Sequence, residues 1–312
     1  MTRVGWLVRA SLRRPGKFIS VIRGSIRDRF LKISLESNFI GKNIEYSIPP
    51  FSRSDVVAQM IIELENEGIK VIKQKIEKDD FEQFLTNADY SRYKYYYDSG
   101  RAPILREKAM EHFLAAKFLE ISPNDVYIDI ANGDSPAPWI YQRLYSCTSF
   151  AHDRYFKTSR GNHISGNADN LNVSDSSADK MALHCSFDHF INDYDSKFIS
   201  EVARVLKPNG KCCIVPLYIY QIPGAVTDPG YVTEWSIFKE FKNIYIDYNF
   251  RNDFSRLYDV KTLKQKILSI LPNNLTYSII VIQNMDEVCP ECYAKFALIF
   301  TKKGSLQHCG GK

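Results

Sequence analysis

The stretch Tyr127-Ile128-Asp129-Ile130-Ala131-Asn132-Gly133-Asp134-Ser135-Pro136 sets an acid inside a short apolar run and follows it at once with a turn of small residues. A strand that feeds such a turn makes a ligand seat at the carboxyl edge of an α/β sheet, and Gly133 lets a ligand approach the backbone closely. Taken alone, a small-residue turn is common and often only structural. Asp153 ends the next apolar run, 20 residues after Gly133. In dinucleotide-type sites an acid at that spacing accepts hydrogen bonds from ribose hydroxyls. Gly166-Asn167-Ala168-Asp169-Asn170-Leu171 follows, then Asp175 to Asp179 leading into a strand, then Glu201 to Lys211. A nicotinamide-dependent oxidoreductase would want G-x-G-x-x-G after its first strand; this chain offers Ala131 and Gly133 but no third glycine.

These residues need a frame. Leu105, Ala109, Phe113 and Ala116 have the spacing of an amphipathic helix. Residues 126–130, 147–152 and 179–185 read as strands, 197–206 as a helix, 207–210 as a turn and 211–217 as a further strand. Residues 276–283 and 293–301 read as a hairpin pair. Strands alternating with helices imply an α/β fold, a mostly parallel sheet with helices on both faces. Ahead of it, residues 35–60 read as linker and 55–87 as a helix with a break at Gly68. Tyr90, Tyr93, Tyr95, Tyr96 and Tyr97 form an aromatic cluster that either packs on the body or covers a substrate.

In order and spacing the series resembles the class I methyltransferases that use S-adenosylmethionine (SAM). The likeness covers roughly residues 105–217. Glu201 to Lys211 is similar to that family's helix and turn before its fifth strand, and Gly166 to Leu171 resembles its adenine-contacting turn, G-D-A-x-x-L. The resemblance implies SAM as cofactor and a Rossmann-like sheet with an antiparallel last strand and an N-terminal helical extension. It implies that Asp129 shapes the turn and approaches the amino-acid part of SAM, with Ala131 and Gly133 as the turn's small residues. Asp153 would hold the ribose. Asn167 stands where the family often has an aspartate facing the adenine amino group, keeping an acceptor oxygen without the charge; Ala168 would contact adenine through its backbone. Ala131 and Ser135 replace usual glycines, and Pro136 and Pro138 follow; both replacements are small, and proline suits a first helical turn.

In such a fold the acceptor sits past the fourth strand, where His184-Cys185-Ser186-Phe187-Asp188-His189-Phe190 stands. Either His189 is the general base, oriented or replaced by Asp188, or it merely begins the next helix. His184 is expected to face the core. Residues 223–260 are expected to cover the substrate, with Trp235 and Tyr258 as aromatic contacts; Arg256 either grips an anionic group or holds a structural ion pair. Arg256-Leu257-Tyr258-Asp259 resembles a segment of relatives encoded with polysaccharide genes. The expected function is O-methylation of a sugar hydroxyl in a bacterial surface glycan of O-antigen type. Two alternatives stand beside it: a small-metabolite methyltransferase, and a degenerate SAM-fold scaffold without activity.

Charge is unevenly spread. Residues 1–34 hold nine basic residues and the single acid Asp28, whereas the whole chain is only +5. Phe18, Ile22, Ile26, Phe30 and Ile33 share one helical face in that arm, the pattern of a helix on an anionic membrane surface. A stripe packed on the body, or a transit peptide, would share it. The domain plan is thus a basic arm (1–34), a linker and helical extension or lid (35–100), the methyltransferase domain (101–304) and a flexible tail (305–312). The expected setting is cytoplasmic, peripheral on the inner face of the plasma membrane if the arm binds lipid. The acidic body argues against nucleic acid. The seven cysteines are expected as reduced thiols, and Cys289-Pro290-Glu291-Cys292 as structural, without metal. Oligomeric state is not legible.

Overall fold

The computed structural model describes residues 39–96 and 104–304, so the basic arm of residues 1–34, Tyr97 and the tail of residues 305–312 lie outside the described residues. In chain order the strands are β1 (Asn43–Glu45), β2 (Val71–Gln74), β3 (Val126–Ile130), β4 (Thr148–Asp153), β5 (His163–Ser165), β6 (Ala178–His184), β7 (Leu206–Val215), β8 (Gly224–Thr227), β9 (Asn243–Ile246), β10 (Ser255–Leu257), β11 (Leu275–Ile282) and β12 (Phe296–Lys302). The main helices are α1 (Ser54–Asn66), α2 (Lys78–Ala88), α3 (Leu105–Leu119), α4 (Ala137–Tyr145), α5 (Tyr194–Val205) and α6 (Val260–Lys266).

The chain divides into two compact units, with boundaries after Ile48, at Pro223–Gly224 and at Ser255–Arg256. The larger unit is built on an eight-stranded sheet in the order β2-β11-β12-β7-β6-β3-β4-β5. The pairs β3–β4, β3–β6, β4–β5, β6–β7 and β2–β11 are parallel, and β12 runs antiparallel to both β7 and β11. This is the expected Rossmann-like sheet with its antiparallel last strand.

Period-two alternation assigns each strand residue to one of two apolar layers. Ile128, Ile130, Met181, Leu183, Ile214, Val281 and Leu298 pack with α1, α5 and α6. Their neighbours Tyr127, Ala182, Cys213, Val215, Ile280 and Ile299 pack with α2, α3 and α4 on the other face. Both faces are therefore covered. Because β3, β4, β5 and β6 are parallel, their carboxyl ends lie along one edge.

Local structure departs from the sequence reading in three places. Gly68 (φ +74°) ends α1 rather than interrupting one long helix, and Val71–Gln74 then forms β2. That four-residue strand has no apolar alternation; it is ordered by the backbone pairing offered by β11, Val71 opposite Ile279. Residues 207–210 are not a free turn but the irregular start of β7, with a register shift opposite Ala178 and Lys180. Asn209 takes a positive φ there, and a Cβ on Gly210 would lie 2.9 Å from the Lys207 carbonyl oxygen and 3.0 Å from that of Asp179. Finally, residues 39–48 and Gly224–Ser255 form the smaller unit, whereas α1, β2 and α2 belong to the larger one. In the smaller unit β1, β9 and β8 run parallel, and Phe39 packs on Trp235 and Phe238.

Candidate active site

The turn after β3 is held from below by Asp129, which is 1% exposed. Its carboxylate accepts from Asn132 Nδ2 at 2.6 Å, from the Tyr127 hydroxyl at 3.1 Å and from His184 Nδ1 at 2.8 Å. Asn132 Nδ2 also reaches the Ser135 carbonyl oxygen at 3.0 Å, closing the turn on itself. Ala131 (φ +51°) and Gly133 (φ +60°) both take the left-handed backbone that a tight turn demands. Nothing lies within 4 Å of the place a Gly133 Cβ would take, so the space above the turn is open to a ligand. Pro136 then caps α4, with Pro138 accepted in the first turn.

Asp153, at the end of β4, accepts the Gly133 N–H at 2.7 Å and the Tyr155 N–H at 2.8 Å. The acid and the glycine read from spacing are thus in direct contact. Two lone pairs per carboxylate oxygen leave capacity for ribose hydroxyls as well. Gly166 continues the same edge, its N–H 3.4 Å from the Asp153 carbonyl oxygen. Asn167 is exposed and Ala168 buried in the turn that follows β5. Beneath that turn His152 is buried, and burial pushes its imidazole down to about 4, so it is neutral.

Phe187–His189 forms a single 3-10 turn after β6, and His189 lies five residues ahead of α5 rather than beginning it. His189 Nε2 stands 3.8 Å from Asp188 Oδ2, with its side chain partly open to solvent. His184 faces inward as expected: besides Asp129, it meets the Tyr141 hydroxyl at 3.3 Å. Tyr141 in turn donates to the His112 carbonyl oxygen at 2.6 Å, and the His112 ring pairs with Tyr90 (2.6 Å) and Ser135 (3.1 Å). Burial, with His184 nearby, drives His112 well below the ordinary histidine range. This network ties the turn after β3 to α3.

Arg256 and Tyr258 lie elsewhere. Arg256 is 1% exposed; its Nε is 3.4 Å from Asp195 Oδ2 and its Nη2 donates to the Asn192 carbonyl oxygen at 2.8 Å. The Tyr258 hydroxyl donates to the same Asp195 oxygen at 2.6 Å. Of the two readings of Arg256, the geometry has the structural ion pair. Trp235 lies in the smaller unit, on Phe39 and Phe238. Cys289 and Cys292 are bonded to each other, which corrects the expectation of reduced thiols throughout. Their Cα atoms are 5.2 Å apart, within bridging range.

The sequence reading missed a polar strip on the first turns of α3. Glu107, Lys108 and Glu111 sit there among apolar neighbours, nearly or wholly buried. Lys108 donates to Glu111 Oε1 at 2.7 Å, and Glu107 Oε2 accepts the Tyr293 N–H at 2.7 Å. Burial, reinforced by Glu111, raises Glu107 to about 8, and burial raises Glu111 too. Burial opposes the Lys108 charge, yet Glu111, Cys185 and Tyr293 together outweigh it and hold that ammonium well above its usual range. Around the strip stand Cys185, whose thiol burial pushes to about 12, and an aromatic group in which Phe51 meets Tyr218 and Tyr220 at 5.2 Å and Tyr293 at 6.0 Å. The available signal was the i, i+4 pairing of Glu107 with Glu111 between apolar positions.

Residues 144–214 match a family described as a methyltransferase domain. No curated protein matches the chain. Among solved structures it is similar to the YcgJ protein from Bacillus subtilis (16% identity, 62% of this chain and 98% of that one, TM-score 0.39). It is also similar to 1,6-didemethyltoxoflavin-N1-methyltransferase from Burkholderia thailandensis with bound S-adenosylhomocysteine (12%, 74% and 92%, 0.39). A third is geranyl diphosphate C-methyltransferase from Streptomyces coelicolor (13%, 65% and 82%, 0.39). Likenesses this remote carry no conclusion about this chain. The matched segment spans β4, β5, β6 and most of β7, the strands whose edge bears Asp153 and the β6 turn. The methyltransferase-domain match therefore lies on the strands whose edge bears Asp153, beside the turn of Asp129 and Gly133, in a sheet of Rossmann-like topology.

Proposed function

We propose that the protein O-methylates a sugar hydroxyl of a bacterial surface glycan. The observation that carries this reading is the aromatic group of Phe51, Tyr218, Tyr220 and Tyr293 in the larger unit, electrostatically linked through Tyr218 and Tyr220 to Asp188. Aromatic faces suit the C–H faces of a pyranose, and neighbouring carboxylates suit its hydroxyls. Asp129, Ala131 and Gly133 would seat the amino-acid end of SAM, Asp153 its ribose, and Asn167 and Ala168 its adenine. SAM supplies a methyl group on a cationic sulfur. The chain's part is to align the acceptor oxygen and accept its proton, on His189 or Asp188. Arg256 and Tyr258 lend this reading no support, because both are committed to Asp195. A basic arm on a lipid surface would bring the enzyme to a membrane-anchored glycan. No helix among the described residues is long and apolar enough to cross a membrane.

The test is transfer of labelled methyl from SAM to purified lipid-linked glycan, to neutral sugars and to small phenols and amines, with Asp153→Ala as control. Labelling of the glycan, lost in the variant along with about tenfold or more of S-adenosylhomocysteine affinity, is the expected result. Labelling of phenols or amines alone would leave a small-metabolite enzyme. Failure of the intact, folded protein to bind S-adenosylhomocysteine would leave a scaffold.

A further inference from the structure

Cys289 and Cys292 are bonded across Pro290 and Glu291, in the connection between the helical turn Met285–Val288 and β12. Pro290 and Glu291 form an exposed tip, and the sulfurs lie beneath it: Cys289 is 0% and Cys292 3% exposed. The other cysteines among the described residues, Cys147, Cys185, Cys212 and Cys213, are free; Cys309 lies outside them. Burial raises all four thiols, Cys185 to about 12, so they stay protonated and are poor partners for thiol–disulfide exchange. Cys212 and Cys213 are adjacent on β7 and face opposite layers, which keeps them from bonding each other. One bonded pair thus stands among thiols that the fold holds out of exchange. A bridge that spans so few residues constrains the unfolded chain least, so its effect is local.

What the bridge controls follows from the next residue. Tyr293 begins where the bonded loop ends. Its N–H donates to Glu107 Oε2 at 2.7 Å, and its ring centroid lies 6.0 Å from those of Phe51 and Tyr218. On the other flank Arg106 Nε meets Glu291 Oε1 at 2.8 Å. The loop is therefore fastened to two consecutive residues of α3, one on each side of Cys292. Inside it the Cys292 N–H donates to the Cys289 carbonyl oxygen at 2.8 Å, and the Cys289 N–H to that of Met285 at 2.8 Å. Two thiols cannot occupy the space of a bond. On reduction the sulfurs part to van der Waals contact and each gains a proton, and a packed interior gives way rather than absorb that volume. The open direction is toward the exposed tip, and movement of Cys292 carries its neighbour Tyr293 with it. The turn after β3 is fastened separately, through Asn132 on Asp129 and Gly133 on Asp153.

We propose that the Cys289–Cys292 bond is a redox latch on the aromatic group: bonded, it holds Tyr293 against Phe51 and Tyr218; reduced, it frees Tyr293 and loosens that group while the turn of Gly133 and Asp153 keeps its shape. That the aromatic group seats the acceptor rests on the reading above; the latch itself does not. The reductant is a dithiol. Its thiolate attacks one sulfur, the Cys289–Cys292 bond breaks and a mixed disulfide forms; the reductant's second thiolate then displaces the protein sulfur. Two electrons and two protons pass to Cys289 and Cys292, and the reductant leaves as its own disulfide. A disulfide oxidant reverses both steps.

The test equilibrates the full chain with mixtures of reduced and oxidised dithiothreitol. Alkylation and peptide mass mapping count thiols at Cys289 and Cys292, hydrogen exchange reads the Tyr293 amide, and calorimetric titration reads S-adenosylhomocysteine. Both thiols are expected to appear in the folded protein, with the Tyr293 amide exchanging about tenfold or more faster and S-adenosylhomocysteine affinity within about twofold. The double variant Cys289→Ser, Cys292→Ser should exchange like the reduced protein and ignore dithiothreitol, and a thermal melt checks its folding. KM for lipid-linked glycan should rise at the same redox midpoint. A bond that dithiothreitol does not reduce in the folded protein overturns the latch, as does a Tyr293 amide whose exchange is the same in both states. Loss of S-adenosylhomocysteine affinity on reduction of the folded protein also overturns it, because the effect is then not confined to the aromatic group. Faster Tyr293 exchange with no glycan methylation in either state upholds the latch and removes the glycan reading alone.

Discussion

Two buried charged clusters in the larger unit make opposite use of their carboxylates. Asp195, at the start of α5, is 0% exposed and saturated: it accepts from Tyr258, from the Ser196 N–H at 2.8 Å and from the Ser196 hydroxyl at 3.2 Å, with Arg256 at 3.4 Å. Glu107 and Glu111, on α3, are as deeply buried and keep two oxygens without donors. A carboxylate surrounded by donors from its own fold is part of the scaffold. One that folding leaves short of donors keeps hydrogen-bonding capacity that the fold itself does not fill.

The comparison breaks or holds on stability. Arg256→Ala should be the most damaging change, about 3–5 kcal/mol, because it strands the Asp195 charge in the interior; denaturant unfolding reads it directly. If Arg256→Ala unfolds like wild type, Asp195 is not the closed cluster described. An intermediate effect concerns pH. Glu107 is raised from 4.5 to about 8 by burial and by Glu111, so the folded state holds its proton longer than the unfolded chain. Its contribution to stability is therefore full below about 4.5 and is lost as pH rises toward about 8. Glu107→Gln should flatten the fall of Tm across that window, and a slope equal to that of wild type would remove the strained acid pair. The smallest effect is Tyr258→Phe, about 1.5–3 kcal/mol for one buried donor to a charged acceptor; a double-mutant cycle with Arg256→Ala should show coupling between them.

How much was legible depended on range. Val126–Ile130, Thr148–Asp153 and Ala178–His184 were read within a residue or two, since burial on both faces leaves a near-continuous apolar run. The contact between Gly133 and Asp153 was foreshadowed by their spacing, because strand and crossover lengths are set by the fold. β2 was not legible: nothing in Val71–Gln74 marks a strand until β11 offers its edge. The fate of Arg256 was left open between ligand and ion pair for the same reason, since its partner Asp195 lies 61 positions earlier.

What this sequence determined by itself is therefore the local and the periodic: the alternating strands, the small-residue turn, the acid that follows it, and through them the likeness to a methyltransferase domain. Tertiary structure decided which charged residues lose water and in whose company. Glu111 and Asp195 are both acids on helices, and only packing leaves one short of donors while it surrounds the other with them. The reason is that desolvation is a property of the assembled interior, and no residue carries it alone.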